Sequence, residues 1–454
     1  MHLVFENIVK QLILLWTDGI DGLDEGRGSY HFVRDVWTAI GVATGLSGST
    51  IPSVFTGRPP NCAEPKGAAT ADSWSFWLLY LGPRVLARHF RKDIYYHHFI
   101  ELSRLVHKCM QFEISREDLA DIHAGFSKWV LDFEKHYYQH DPSRVQVCTI
   151  NVHALLHIAD SIEAMGPVWT YWAFPMERYC GRLQRAIRSR RFPWSNLDEH
   201  ILASAQLAHL KMRYNLEQEL SLRPVASAVV DGQYSHKDYN SCILLPPWRP
   251  SSSITNSLAE RIKIHLGTRY SASKQTVNQV FQKDFIKQYA AVRRLQGGDD
   301  MFAAELIRTP ADYRDRTFVK YVPLVDAYAH FQSRPERLEP QAHYGQIRNI
   351  LLVTLPATVA LQLDGNYHSD EPSVLFLACI QECDTTGPVS RKLPDAECYT
   401  KMKPGPKVFD IATIQCLVGR TPLANLSSTS TDPTEYCIID RSMGEVNQPI
   451  YHDE

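Results

Sequence analysis

The chain has 454 residues, of which 44% are hydrophobic and 22% charged, and its formal net charge is −2. That length accommodates two or three domains with a sizeable core, and the composition is that of an ordinary globular protein. The near-neutral balance excludes a histone-like or tail-like nucleic-acid binder, so any anion-binding surface has to be local.

Residues 1–222 read as mainly helical. Leu3, Ile8, Leu12 and Leu15 keep a roughly helical spacing, and Leu102, Leu105, Val106 and Met110 repeat it. Two loops interrupt the pattern: Gly19 to Gly28, rich in Gly and Asp, and Ile51 to Ala69, whose four prolines forbid continuous helix. A helix follows Asn151, a candidate N-cap, with Leu155, Ile158, Ala159, Ile162 and Met165 as its apolar stripe and Gly166–Pro167 as its stop. Val168 to Phe174 is aromatic and β-branched, which predicts a short strand or extended segment. Pro175 then fits the first turn of another helix.

Leu244 to Ser253, LLPPWRPSSS, reads as the core of a linker over residues 223–253. A helical and extended connecting region follows over 254–340, opening on a capping-box pattern at Ser257–Glu260 with Leu258, Ile262 and Leu266 behind it. From Gln341 to the end, NILLVTL, VLFLACI, VFDIATIQCLV and YCIID are β-type runs separated by turn residues, which predicts a small barrel-like β-domain folding on its own. The fold class expected is therefore α+β. No internal repeat is visible, and the tract near Ser427 reads as a loop.

Ten cysteines are scattered without a CxxC pair, Cys379 and Cys383 lying nearest one another. This spacing excludes paired zinc knuckles, and a disulfide framework is not expected in so long a chain. MHLVFENIVK lacks the order of a signal peptide. No apolar run approaches the roughly 18 residues that span a bilayer. A soluble, reduced, intracellular protein with no membrane partner is expected.

Three groups of residues carry candidate chemistry. Arg178, Arg182, Arg185 and Arg188 recur at helical spacing on one face, with Arg190 and Arg191 behind them and no acid from Arg178 to Arg191. Guanidinium forks match phosphate oxygens, whereas an ordinary solvated face carries mixed signs because like charges at this spacing repel. Glu177, in the first turn, either complements the helix dipole or serves as a metal-binding carboxylate beside a phosphate-binding face. His153, His157 and Asp160 share a helical face and mimic a zinc helix, but HALLH lacks the glutamate of HExxH proteases. Packed, hydrogen-bonded core histidines are the expected alternative. Gly297–Asp300, GGDD, reads as a turn, and the sequon Asn425–Leu426–Ser427 is expected to be silent.

The run CTINVHALLHIADSIEAMGPVWTYWAFPMERYCGRLQ resembles the characteristic block of fungal CACTA-superfamily transposases of the Plavaka type. It is also similar to the domain that follows the transposase core in plant En/Spm elements. MHLVFENIV resembles the family segment in which an aspartate precedes a Met-His pair, and GGDDMFAAELI, RDRTFVKY and HYGQI resemble the C-terminal region more loosely. The resemblance implies an RNase H-like fold whose last part carries Glu177 as the third carboxylate of a DDE triad, a helical insertion before it, and His2 in the pre-insertion motif. It implies two Mg²⁺ ions in the full-length family and a nuclear protein that binds DNA; the sequence allows a homo-oligomer without fixing one.

The two aspartates of the triad have no counterpart here. A truncated remnant is expected, binding DNA through the arginine helix without autonomous catalysis and without a cofactor of its own. The rival readings are a protein-interaction module of helical scaffold plus β-barrel, and a zinc-dependent hydrolase using His153 and His157.

Overall fold

A computed structural model describes residues 2–64, 70–217, 219–221, 232–295, 299–306, 314–328, 335, 337–386, 396–423 and 435–442. The chain forms two compact units, Met1–His31 with Lys92–Val229, and Phe32–Arg91 with Val230–Glu454. Both helices and antiparallel sheets are present, so the fold is α+β.

The first unit is helical. A π-helical segment His2–Ile8 runs into Val9–Trp16, and two longer helices, Asp93–Cys109 and Arg116–Phe133, pack on each other. Ser115 starts the second of these with a complete capping box to Asp118. Gly125 lies at this contact: a Cβ there would lie 2.3 Å from Leu105 Cδ2, so the Leu105 side chain would have to move. Trp16, Phe99, Phe126, Trp129, Phe133 and Tyr137 fill the core. Ile150–Ala154, a 3₁₀ turn Leu155–His157 and Ile158–Met165 follow, then the helices Phe174–Ala186 and Pro193–Tyr214.

The second unit is built on strands β1 (Cys242–Arg249), β2 (Ile286–Arg294), β3 (Asp300–Phe302), β4 (Phe318–Tyr321), β5 (Leu324–Asp326), β6 (Leu338–Pro340), β7 (His343–Leu355), β8 (Ser373–Glu382), β9 (Cys398–Tyr399), β10 (Lys407–Asp410), β11 (Ile414–Leu417), β12 (Gly419–Pro422) and β13 (Tyr436–Ile439). The main sheet has eight strands in the order β1-β2-β7-β4-β11, with β3 on β2, β8 on β7 and β10 on β8. Smaller sheets pair β12-β13-β9 and β5-β6.

Both faces of the strands carrying NILLVTL and VLFLACI are covered, which explains why apolar residues there run on without alternating with polar ones. Ile350, Leu352, Phe376 and Ala378 face one core with Val319, Tyr239 and Leu417. Leu351, Val353, Leu355, Leu375 and Leu377 face another, covered by Leu258, Ile262 and Leu266 of the helix Asn256–Arg269. Arg314 is buried and ties the proline-rich loop to the sheet, its guanidinium donating to the carbonyls of Ile51, Pro52 and Thr56 at 2.6, 3.2 and 2.7 Å.

Several expectations are corrected. Among the described residues no strand pairing closes the main sheet, so it is not a barrel. The stretch read as a linker forms β1: Leu244 and Leu245 pair with Val292 and Ala291, and the register slips between Leu245 and Trp248, where the two prolines fall on an edge strand. The β-region does not begin at Gln341, because β2 and β4 share β7 with β8. Residues 32–91 group with the sheet and not with the helical unit. The loosely matching segments meet here, with Phe318 opposite Gln346 and Ala304 N–H bonded to the Ile347 carbonyl.

Cys398 and Cys437, cross-strand partners on β9 and β13, are joined by a disulfide, which corrects the expectation of a fully reduced chain. No described helix is long and apolar enough to cross a membrane. The sequon at Asn425, the tract near Ser427 and the glycines of GGDD lie outside the described residues; of that last motif, Asp300 is ion-paired to Arg293 at the start of β3.

Candidate functional site

Gly166, with φ of +85°, ends the helix Ile158–Met165 and turns the chain. The next residues are not a strand: Val168–Thr170 is a 3₁₀ turn, with Thr170 Oγ1 donating to the Pro167 carbonyl at 2.8 Å. Their aromatic character has another cause. Val168, Tyr171, Trp172 and Phe174 line an apolar cavity of about 390 Å³ with Leu3, Phe5 and Phe126, and the Phe5 and Phe174 rings lie 6.5 Å apart. Pro175 then occupies the first turn of Phe174–Ala186.

Glu177 is half exposed in that first turn, and its Oε1 lies 2.9 Å from His2 Nε2. The other ring nitrogen of His2 contacts Glu6. Two residues from opposite ends of the unit's sequence thus meet, with one imidazole between two carboxylates. Glu6, a turn along from His2, is the member that the sequence reading missed, although its i,i+4 spacing is the available signal. Mg²⁺ prefers an octahedral set of oxygens. Here an imidazole stands at the Glu177 carboxylate, and among the described residues no three His, Cys, Asp or Glu side chains are grouped to hold a metal. This donor set does not fit a two-magnesium centre.

The arginine helix differs from expectation in two ways. It has no buried residue, although the sequence suggests that the aromatic run before it would pack it against the core. It also ends at Ala186, and Ile187 is extended (ψ 106°), because Asn196 Oδ1 captures the Arg188 N–H at 2.6 Å. Arg178, Arg182 and Arg185 therefore share the helix, while Arg188, Arg190 and Arg191 lie in the turn before Pro193–Tyr214. All six are exposed, and none forms an ion pair among the described residues. Arg191 sits over the Phe192 ring at 5.1 Å. The three helical arginines span about 10 Å along the axis, roughly three phosphate steps of one DNA strand.

No protein-family model, curated protein or solved structure matches this chain.

His153 and His157 are exposed, which corrects the expectation of a packed core pair. Their Nε2 atoms are 3.3 Å apart, and Asp160 Oδ2 lies 3.6 Å from His157 Nδ1. Val152, Leu155, Ala159 and Ile162 take the core side of this segment instead.

Proposed function

We propose that this chain is a transposase-derived protein that binds duplex DNA in the nucleus through Arg178, Arg182, Arg185, Arg188, Arg190 and Arg191. One observation carries this reading: six exposed arginines, unneutralised by any ion pair among the described residues, lie on one short helix and the turn behind it. In a chain of net charge −2 such a concentration has to be local, and phosphate is the partner that guanidinium forks match bidentately. The contact of His2 with Glu177 supports the transposase ancestry, since both belong to the segments that resemble that family. An RNase H-like origin of this region is part of the proposal. The chain by itself is proposed to lack strand-transfer activity, because two-metal chemistry needs several converging carboxylates.

The test is duplex binding at three salt concentrations. Replacing Arg182 and Arg185 with Gln keeps helix propensity. It should weaken binding to any duplex sequence alike and reduce the salt slope by about 0.9 for each lost phosphate contact. An unchanged slope would remove the reading.

A second reading, a protein-interaction module, is favoured by the helix Pro193–Tyr214. It has no buried residue, and Trp194, Leu202 and Met212 are 76%, 60% and 68% exposed. Duplex affinity that is insensitive to the double substitution would leave this reading standing.

A further inference from the structure

The segment from Ile150 to Met165 is not one regular helix. Ile150–Ala154 is α-helical, Leu155–His157 tightens into a 3₁₀ turn, and Ile158–Met165 resumes. Leu155 is fully buried and fixes the turn to the core. A 3₁₀ interruption inside a helix marks a hinge or local strain. Here it carries His157 at its end, opposite His153, with both rings on the solvent side.

The two imidazoles bring the same ring nitrogen close together. Their Nε2 atoms are 3.3 Å apart and their ring planes cross at 73°. A zinc ion held by two imidazoles at about 2.0–2.1 Å and a tetrahedral angle separates its nitrogens by roughly 3.3 Å. On the outer side, Asp160 stands 3.6 Å from His157 Nδ1, where a carboxylate orients a metal-bound imidazole. His157 also lines the apolar cavity.

We propose that His153 and His157 form a two-imidazole site for a first-row divalent transition ion, with Asp160 as the positioning residue and the remaining positions open to water. Imidazole pairs suit Zn²⁺, Cu²⁺ and Ni²⁺ and do not favour Mg²⁺ or Ca²⁺. The site is independent of the DNA-binding reading and uses none of its arginines. No glutamate follows His153 to act as a base, so hydrolysis is not part of the proposal.

The experiment uses the full chain, stripped with chelator and titrated with CuSO₄, ZnSO₄ and MgSO₄ by calorimetry at neutral pH. With 19 histidines in the chain the tightest site is read by difference. That site should prefer Cu²⁺ over Zn²⁺ and ignore Mg²⁺, following the general order of divalent affinities. His153→Ala and His157→Ala should each weaken it at least about tenfold, and Asp160→Asn should weaken it about tenfold with both ligands intact. All three side chains face solvent, and circular dichroism of each variant confirms the fold. Tightest-site affinity unchanged in both histidine variants would overturn the proposal. So would the absence of any site tighter than millimolar in the wild type. A histidine pair that only shares a hydrogen bond predicts those results.

Discussion

Arg144 holds the Gly19–Gly28 loop in place. Its guanidinium is buried and donates to the Tyr137 carbonyl at 2.8 Å, to Tyr30 Oη at 2.9 Å and to Asp24, while the Tyr30 hydroxyl also donates to Asp24. Removing the guanidinium leaves the partly buried Asp24 carboxylate and the Tyr137 carbonyl without this donor. Arg144→Met should therefore lower the stability of the helical unit by about 1–3 kcal/mol in urea unfolding.

A second residue sets a pH dependence. His98 stacks on Trp129 at 4.3 Å, its Nε2 reaches the Trp129 carbonyl at 3.1 Å, and Trp129 Nε1 donates back to the His98 carbonyl at 2.9 Å. Burial pushes its pKa down from 6.5 to about 3. The unfolded chain takes up a proton below pH 6.5 that the folded chain refuses, so this contribution to stability is complete above that pH and is lost as pH falls. The unfolding free energy should drop by up to about 1.4 kcal/mol per pH unit between 6 and 4.5, and His98→Phe should flatten that slope.

At the scale of elements, β7 carries the sheet. One of its edges is bonded to β8 along nearly its whole length, and the other is shared between β4 and β2. A fragment beginning at Gln341 lacks β1, β2 and β4 and leaves that edge bare. Expressed alone, it should aggregate or show no dispersed amide spectrum; a cooperatively unfolding monomer would contradict this.

What the sequence disclosed follows from which interactions are local. The helix stop at Gly166 and the apolar runs of β7 and β8 rest on backbone conformation and short periodicity, and they were legible. The residues 244–249 were not: two prolines and a tryptophan look like a linker until β2 offers an edge to pair with. The Val168–Phe174 segment misled for a similar reason, since its rings fill a cavity and not a strand position. The arginine cluster was visible in the sequence, but its interruption at Ile187 depended on Asn196, which no periodicity announces. The exposure of His153 and His157 was equally hidden, because HALLH fits either side of a helix until Leu155 takes the core.

For the whole molecule, charge is nearly balanced, with 48 basic and 50 acidic residues and an isoelectric point near 6.8. Proteins without net charge attract one another most readily. Solubility measured by polyethylene-glycol precipitation should therefore pass through a minimum close to pH 6.8 and recover on both sides. Added duplex DNA should shift that minimum if the arginine cluster is occupied.

The central place of β7 also has a consequence for how the protein is made. The strands β1, β2 and β4 leave the ribosome before the strand that joins two of them to the rest of the sheet. Translation at roughly 5–20 residues per second gives β2 a wait of some seconds before Leu355 is added. Through that interval β2, with Ile286, Tyr289, Ala291 and Val292 that the finished sheet buries, has only β1 and the three-residue β3 to pair with. The nascent chain thus presents a sticky, half-made edge, and slowing synthesis between Arg294 and His343 with rare codons would lengthen its exposure to chaperones and to aggregation alike.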